Sequence, residues 1–270
     1  MKVLTRTQPA AAVPQISPTF LRMFTAYSRR YVSRRFHSIR VLETGLPPRN
    51  ISSPLVVYLN HAAWWDPLIC LRLAQTYFPG RASYAPIEAD ALQRYRFFQR
   101  LGFYGLAQNS VRGAMTFLRT TRAILSSAGN IVWLTPQGRF MDVRERPLRL
   151  EQGIGELAAQ MPEATFLPLA IEYAFWTEPR PEALISFGEP ITPRHESPRG
   201  AHEWTDRLSN ALEETQDELA ARSCRRDPSE WRRLDRGTSG VSAFYDTWRR
   251  FRARVAGKKF VPEHYTEECK

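Results

Sequence analysis

Long apolar runs are missing from this sequence. No window approaches the roughly 20 consecutive apolar residues that a membrane-spanning helix needs, although 43% of the 270 residues are hydrophobic. The first nineteen residues are rich in proline and alanine and lack the continuous apolar core of a signal peptide. We therefore expect a globular chain with a disordered tail over residues 1–19, without a signal peptide or a spanning helix.

Cysteine and histidine are scarce. The three cysteines, Cys70, Cys224 and Cys269, lie far apart and form no C-x-x-C pair, and the five histidines are scattered as well. This pattern argues against a disulfide framework and against a metal site, so we expect no metal. It favours the reducing environment of the cytoplasm.

Lysine is nearly absent. The chain has 38 basic residues and a net charge of +11, and lysine occurs only at positions 2, 258, 259 and 270. Arginine suits phosphates, whether they belong to nucleic acids or to lipid headgroups. No helix-turn-helix, RNA-recognition or zinc signature is present. We therefore expect no nucleic-acid partner and favour a membrane surface, preferably an anionic one.

The first organised segment combines aromatic and basic residues. Phe20, Phe24, Tyr27 and Tyr31 recur at helical spacing, and five arginines lie between them and just beyond. This pattern is typical of a helix in a membrane interface, predicted here over residues 20–44. An ordinary surface helix with a solvated basic face fits the same residues. On the interfacial interpretation, the protein lies on the cytoplasmic face of a membrane as a peripheral or monotopic protein.

Strand-like and helix-like segments alternate between about residues 55 and 190. This alternation predicts an α/β fold with a mixed, mostly parallel central sheet flanked by helices. His61, Gln108 and Gln137 lie where strands end, which is where functional groups of such sheets gather. Two further helical patterns, after residue 202 and after residue 240, predict a helical C-terminal extension.

The segment "NHAAWWDP" follows an apolar strand and allows two interpretations. In the structural one, Asp66 caps a helix with Pro67 in its first turn, and His61 is a satisfied loop residue. In the functional one, His61 is a general base that the Asp66 carboxylate orients. Five residues apart on one helix the two side chains would diverge, so they meet only if a turn separates them.

Three further segments connect this motif to a family. The pattern N-H-x-x-x-x-D-P resembles the first block of the glycerolipid acyltransferases, the family of the lysophosphatidic acid acyltransferases. The segments "GFYGLAQ" (102–108), "TPQGRF" (135–140) and "TFLPLAI" around Pro168 are similar to the second, third and fourth blocks. Order and spacing agree from Phe20 to Pro190, roughly two thirds of the chain.

The resemblance implies transfer of a fatty acyl group from a thioester to a hydroxyl of a lipid acceptor. The donor would be acyl-coenzyme A or, as a second option, acyl carrier protein, and no cofactor is needed. His61 and Asp66 would be the catalytic pair. The G-x-S-x-G nucleophile elbow is missing from the sequence, in agreement with direct attack by the acceptor without an acyl-enzyme.

The sequence departs from the family pattern at two positions. The second-block arginine falls on Gln108 and the third-block glutamate on Gln137, so a pair of opposite charges has become a pair of amides. This favours an uncharged acceptor such as a glycolipid or neutral lipid over a phosphomonoester. Arg112 and Arg139 stand close by in sequence and keep the conventional 1-acylglycerol-3-phosphate acceptor open, as part of phospholipid synthesis. A degenerate lipid-binding protein without catalysis is a third reading.

The predicted site has three parts besides the catalytic pair. Acceptor-binding residues are Asn60, Gln108, Arg112, Gln137, Gly138 and Arg139. Contacts with the acyl chain, the donor or the membrane are assigned to Trp64, Trp65, Pro168, Arg144 and Arg146. The two tryptophans fit core packing equally well, and the two arginines fit a solvated loop. The acyltransferase domain is expected over residues 45–200 and the C-terminal extension over residues 201–270.

Overall fold

An eight-stranded sheet forms the centre of the protein, in a computed structural model that describes residues 13–108, 110–197 and 199–237. The strands are β1 Ser38–Leu42, β2 Leu55–Leu59, β3 Ala82–Glu88, β4 Phe103–Leu106, β5 Asn130–Leu134, β6 Thr165–Ala174, β7 Glu182–Phe187 and β8 Trp231–Arg236. The order across the sheet is β4-β3-β5-β2-β6-β7-β1-β8. Only β6 with β7 and β1 with β8 pair antiparallel among these strands. The predicted mixed, mostly parallel α/β sheet is confirmed.

Helices cover both faces of this sheet. They are α1 Pro18–Ser33, α2 Asp66–Tyr77, α3 Ala89–Arg94, α4 Val111–Leu125, α5 Gly153–Gln160 and α6 Ala201–Arg225. Helices α4, α5 and α6 pack on one face, and α1 and α2 pack on the other. Within the described ranges, no helix combines the length and the apolar character that crossing a bilayer requires.

Strand β2 is apolar at every position because it is covered on both sides. Val56 and Tyr58 belong to the core under α4–α6, whereas Leu55, Val57 and Leu59 belong to the core under α2. A strand buried on both faces shows a continuous apolar run instead of an alternating one. The chain can become polar only where the strand ends, and it does so at Asn60 and His61.

The first predicted helix is shorter than expected. It ends at Ser33, and residues 38–42 form β1, which pairs with β7 and β8. Ile39 and Val41 are β-branched and fully buried, so tertiary pairing and burial prevail over the helical continuation to residue 44. The helix also docks on the domain, where Ser28 and Val32 are buried, while Met23 and Tyr27 stay exposed.

The predicted boundaries at residues 44/45 and 200/201 cut through one folded unit. Strands β1 and β8 complete the same sheet, and Trp204, Leu208 and Leu212 of α6 are buried in its main core. Long-range strand pairing leaves no local signal, so composition alone suggested an extension. Residues 1–12 of the predicted tail, Cys269 and the predicted helix after residue 240 lie outside the described residues.

Parallel pairing brings the site together. Strand β2 pairs in parallel with β5 and with β6. The carboxyl ends of parallel strands meet at one edge of a sheet. The loop after His61, the loop after Leu134 and the end of β6 therefore share that edge.

Candidate active site

The turn between β2 and α2 determines how His61 and Asp66 meet. Helix α2 begins at Asp66, and Trp65, which contributes no side-chain cap, occupies the N-cap position. The Asp66 N–H donates to the carbonyl oxygen of Ala63 at 3.1 Å, which closes a turn. The helix-capping interpretation of Asp66 is therefore wrong, since its carboxylate points back toward His61.

His61 and Asp66 form a hydrogen-bonded pair. His61 Nδ1 lies 2.7 Å from Asp66 Oδ2, which also accepts a bond from the Ala63 N–H at 3.2 Å. The Asp66 side chain is 2% exposed and the His61 side chain 19% exposed. A carboxylate at Nδ1 keeps that nitrogen protonated, so Nε2 is the nitrogen that can exchange a proton.

Tyr173, at the end of β6, holds the other oxygen of this carboxylate. Its hydroxyl donates to Asp66 Oδ1 at 2.7 Å. Burial and the neighbouring Asp66 charge raise the pKa of Tyr173 well above its ordinary value, so the hydroxyl stays a donor. Sequence reasoning missed this residue. The sequence shows a tyrosine at the end of an apolar strand, but its contact with Asp66 can be recognised only once β6 is known to lie beside β2.

The loop after β5 fixes the main chain of His61. Gln137 Oε1 accepts the His61 N–H at 2.7 Å, and the Met141 N–H donates to the His61 carbonyl oxygen at 3.0 Å. The Phe140 ring lies against the imidazole, with ring centroids 4.1 Å apart. Gln137 is buried, so its carbonyl oxygen supports His61 instead of binding an acceptor as predicted.

Gly138 and Gln108 lie at the exposed rim of this loop. Gly138 has a φ of 70°, in the left-handed region that favours glycine, and its N–H closes a turn on Thr135. Gln108 is exposed and donates from Nε2 to the Gly138 carbonyl oxygen at 3.2 Å. The two positions that depart from the family pattern, Gln108 and Gln137, therefore lie in two loops that this hydrogen bond connects.

Two predicted contact residues have structural positions instead. Asn60 is 2% exposed, and its amide both donates to the Ile171 carbonyl oxygen and accepts the Ile171 N–H, each at 2.9 Å. It extends the β2–β6 pairing by one step, and both polar atoms of its buried amide take part in that pairing. Pro168 is buried in β6, where its carbonyl oxygen accepts the Gly188 N–H at 3.0 Å. Its burial excludes the predicted acyl contact.

The two tryptophans have different surroundings. Trp64 is 64% exposed, which excludes the core interpretation for it. Trp65 is half-buried and packs against Tyr31 and Phe36, with ring centroids 5.6 and 5.1 Å away. Trp65 therefore links the start of α2 to α1.

The predicted arginines are all near the surface, in two groups. Arg112 and Arg139 are exposed, and among the described residues neither bonds to His61 or Asp66. Arg144 pairs with Asp142 at 2.7 Å, and Arg146 pairs with Asp217 of α6. The hydrogen bonds from Arg144 hold the pKa of Asp142 far below its ordinary value.

A cavity of about 920 Å³ opens beside the loop between β2 and α2, residues 60–65. Ala62, Ala63 and Trp65 of that loop line it, together with the end of β6, the segment 141–146 and the end of α6. In the described part of the chain, no group of three or more histidine, cysteine or acidic side chains is arranged to hold a metal ion.

Comparison with known proteins identifies one family. A family model described as Acyltransferase matches residues 34–172. The matched segment runs from the end of α1 to the end of β6, and it contains His61, Asp66 and Gln137. A comparison with curated proteins gives no match.

Proposed function

Because the chain belongs to the acyltransferase family, we propose that it moves a fatty acyl group from a thioester to a hydroxyl of a lipid acceptor. The donor is acyl-coenzyme A or acyl carrier protein. The observation that carries this proposal is the 2.7 Å contact between His61 Nδ1 and the buried Asp66 carboxylate. This arrangement leaves Nε2 to act as general base.

The proposed reaction is a direct transfer. His61 Nε2 takes the proton of the acceptor hydroxyl while its oxygen attacks the thioester carbonyl carbon. The C–O bond forms, the C–S bond breaks, and the imidazolium returns the proton to the departing thiolate. Asp66 stabilises the imidazolium and fixes its orientation. Every proton is returned within the cycle, so no further co-reactant is needed.

The proposed acceptor carries no phosphomonoester. Gln108 and Gln137 replace the charged residues of the family pattern, and Gln137 Oε1 is already committed to the His61 N–H. A dianionic phosphate would meet neutral amides at these two positions instead of an arginine, and the positive charge of the loop lies at exposed Arg139. A sugar or neutral lipid hydroxyl does not need that charge.

One assay tests the reaction and the acceptor together. The purified protein is incubated with radiolabelled acyl-coenzyme A and either a lysophosphatidic acid, a monoacylglycerol or a glycolipid. We expect acylation of the uncharged acceptors and loss of transfer in His61→Gln. His202→Gln, an exposed histidine of α6, is the matched control. Unchanged transfer by His61→Gln would instead identify a lipid-binding protein, and fast acylation of lysophosphatidic acid would identify the conventional acceptor.

We propose that the protein works at a membrane surface, peripherally bound and on the cytoplasmic face. Helix α1 presents exposed Met23 and Tyr27, and Trp64 is exposed within the catalytic loop, residues 60–65. Arginines of α1 supply charge for anionic lipids. We expect sedimentation with anionic vesicles and weaker sedimentation of Arg22→Glu/Arg30→Glu. The control Arg194→Glu reverses the charge of an exposed arginine that follows β7, and an equal loss there would contradict a specific role for α1.

A further inference from the structure

The cavity beside the catalytic loop has both apolar and polar lining residues. The apolar ones include Phe36, Trp65, Ile171 and Leu219, and the polar ones include Glu172 of β6 and Gln216 of α6. Such a combination suits a ligand that has both carbon–hydrogen faces and hydroxyl groups, since each kind of lining residue then meets its own kind of surface.

Gln216 provides the clearest indication of a ligand. Gln216 is 5% exposed, and its Nε2 donates to the Val143 carbonyl oxygen at 3.4 Å. Its Oε1 is buried and has no hydrogen-bond partner among the described residues. A buried acceptor without a partner is costly, and a hydroxyl donor from a bound molecule would satisfy it.

Glu172 adds a second acceptor. Its Oε1 accepts the Ser223 hydroxyl at 3.0 Å. Burial raises the pKa of Glu172, while the Ser223 hydroxyl and the Arg144 charge oppose that rise. A hydroxyl donor suits this carboxyl group in either protonation state. An acyl chain in the same place would supply no donor for Gln216 Oε1 and none to add to the Ser223 hydroxyl at Glu172.

The charges around the cavity argue against a phosphate. Arg144 makes two bonds to Asp142, at 2.8 and 2.7 Å, so its guanidinium is already engaged by a carboxylate. Arg146 is likewise held by Asp217 and by the Val143 carbonyl oxygen. With Glu172 beside these two pairs, the cavity offers a phosphate dianion no uncompensated positive charge.

We infer that this cavity binds the uncharged, hydroxyl-rich headgroup of the acceptor lipid, with Gln216 and Glu172 accepting hydrogen bonds from its hydroxyls. This inference rests on the proposed acyl transfer, because it assigns the cavity to the acceptor of that reaction. The cavity adjoins Ala62 and Ala63 of the catalytic loop and includes Tyr173, which holds Asp66. A headgroup bound there lies beside the loop residues that directly follow His61.

A binding measurement with the whole 270-residue chain tests the cavity apart from turnover. The probes are hexyl glucoside and hexyl phosphate, below their aggregation concentrations, titrated by calorimetry. We expect hexyl glucoside to bind more tightly, and Gln216→Leu to weaken its binding by about 10-fold because one hydrogen-bond acceptor is lost. Glu172→Gln should keep glucoside binding and reduce the discrimination against hexyl phosphate. Gln160→Leu, on the exposed side of α5, is the matched control and should change neither probe.

The outcomes distinguish a failure of the cavity assignment from a failure of the proposed reaction. His61→Gln should bind hexyl glucoside as the wild type does while losing transfer. If Gln216→Leu does not fold, the near-isosteric Gln216→Met replaces it in the same titration. Tighter binding of hexyl phosphate, or glucoside binding that is the same in Gln216→Leu, would overturn the cavity assignment and leave His61-dependent transfer intact. Transfer that persists in His61→Gln would overturn the proposed function while glucoside binding stands.

Discussion

The Tyr173 hydroxyl can be removed with little other disturbance, and we predict that Tyr173→Phe slows acyl transfer. The substitution keeps the ring, which packs against Phe36 with ring centroids 5.6 Å apart. It removes the donor to Asp66 Oδ1 and leaves the donors to Oδ2 in place. The carboxylate then loses one of the groups that hold its orientation toward His61.

The expected size of the effect follows from the bond that is lost. A hydrogen bond to a charged group contributes about 1.5–3 kcal/mol, and the buried carboxylate has no water to replace it. Two of its donors remain, so we expect about half of that amount, roughly 0.75–1.5 kcal/mol, to appear in the barrier. A barrier change of that size lowers kcat about 4- to 12-fold. Asp66→Asn removes the charge itself and should lower kcat by about 10²–10⁴-fold.

The assay should follow acylated product by mass spectrometry. Thiol detection is less suitable because Cys224 is an exposed free thiol of the protein. Tyr104→Phe is the matched control, since Tyr104 is also buried and bonds to Thr121 at 2.8 Å, in the main core. We expect a lower kcat for Tyr173→Phe, with KM for the acceptor nearly unchanged, and wild-type kcat for Tyr104→Phe.

A double-mutant cycle gives the decisive comparison. If Tyr173 acts through the carboxylate, Tyr173→Phe should have almost no effect on kcat in the Asp66→Asn background. Wild-type kcat in Tyr173→Phe, or the same loss of kcat in both backgrounds, would refute the positioning role.

Three further predictions concern stability. Gly155→Ala would place a Cβ 2.0 Å from a carbonyl oxygen of α6, so we expect about 1–3 kcal/mol of destabilisation in chemical denaturation. The control Gly153→Ala, with its nearest contact at 3.5 Å, should be neutral or more stable by up to about 1 kcal/mol. Asn60→Ala would leave the N–H and C=O of Ile171 without partners, at a cost of about 1–3 kcal/mol each, and unchanged denaturation would contradict that structural role. Burial lowers the pKa of His37 below its ordinary 6.5, so the unfolded state binds more protons and stability falls as the pH drops below about 6.5. His37→Gln should flatten the decline of Tm between about pH 7 and pH 5, and an equally steep decline would contradict this assignment.

Much of the local structure was predictable from the sequence. The Ser110 side chain caps α4 by accepting the Gly113 N–H at 3.0 Å, and a serine directly before an amphipathic helical run favours such a cap. The limits of β2, β5 and β7 also follow their apolar runs closely. These features depend on neighbours within a few residues, so composition and spacing are sufficient. The approach of His61 to Asp66 belongs to this group, because one short turn creates it.

The rest of the site depends on contacts between segments far apart in sequence. Tyr173 reaches Asp66 only because β6 pairs with β2, and Gln137 turns toward the His61 main chain only because β5 lies on the other side. The same pairing satisfies Asn60 and removes it from the predicted acceptor site. Strands β1 and β8 also belong to the sheet, although the predicted domain boundaries separated them from it, because long-range strand pairing leaves no local signal. The spacing of residues indicates the secondary structure that a segment forms by itself. Hydrogen-bond partners across a sheet depend on how the whole chain buries its apolar residues. The spacing of His61 and Asp66 therefore predicts their contact through one short turn, whereas burial and strand pairing of the whole chain select Gln137 and Tyr173 as the residues that hold the two in place.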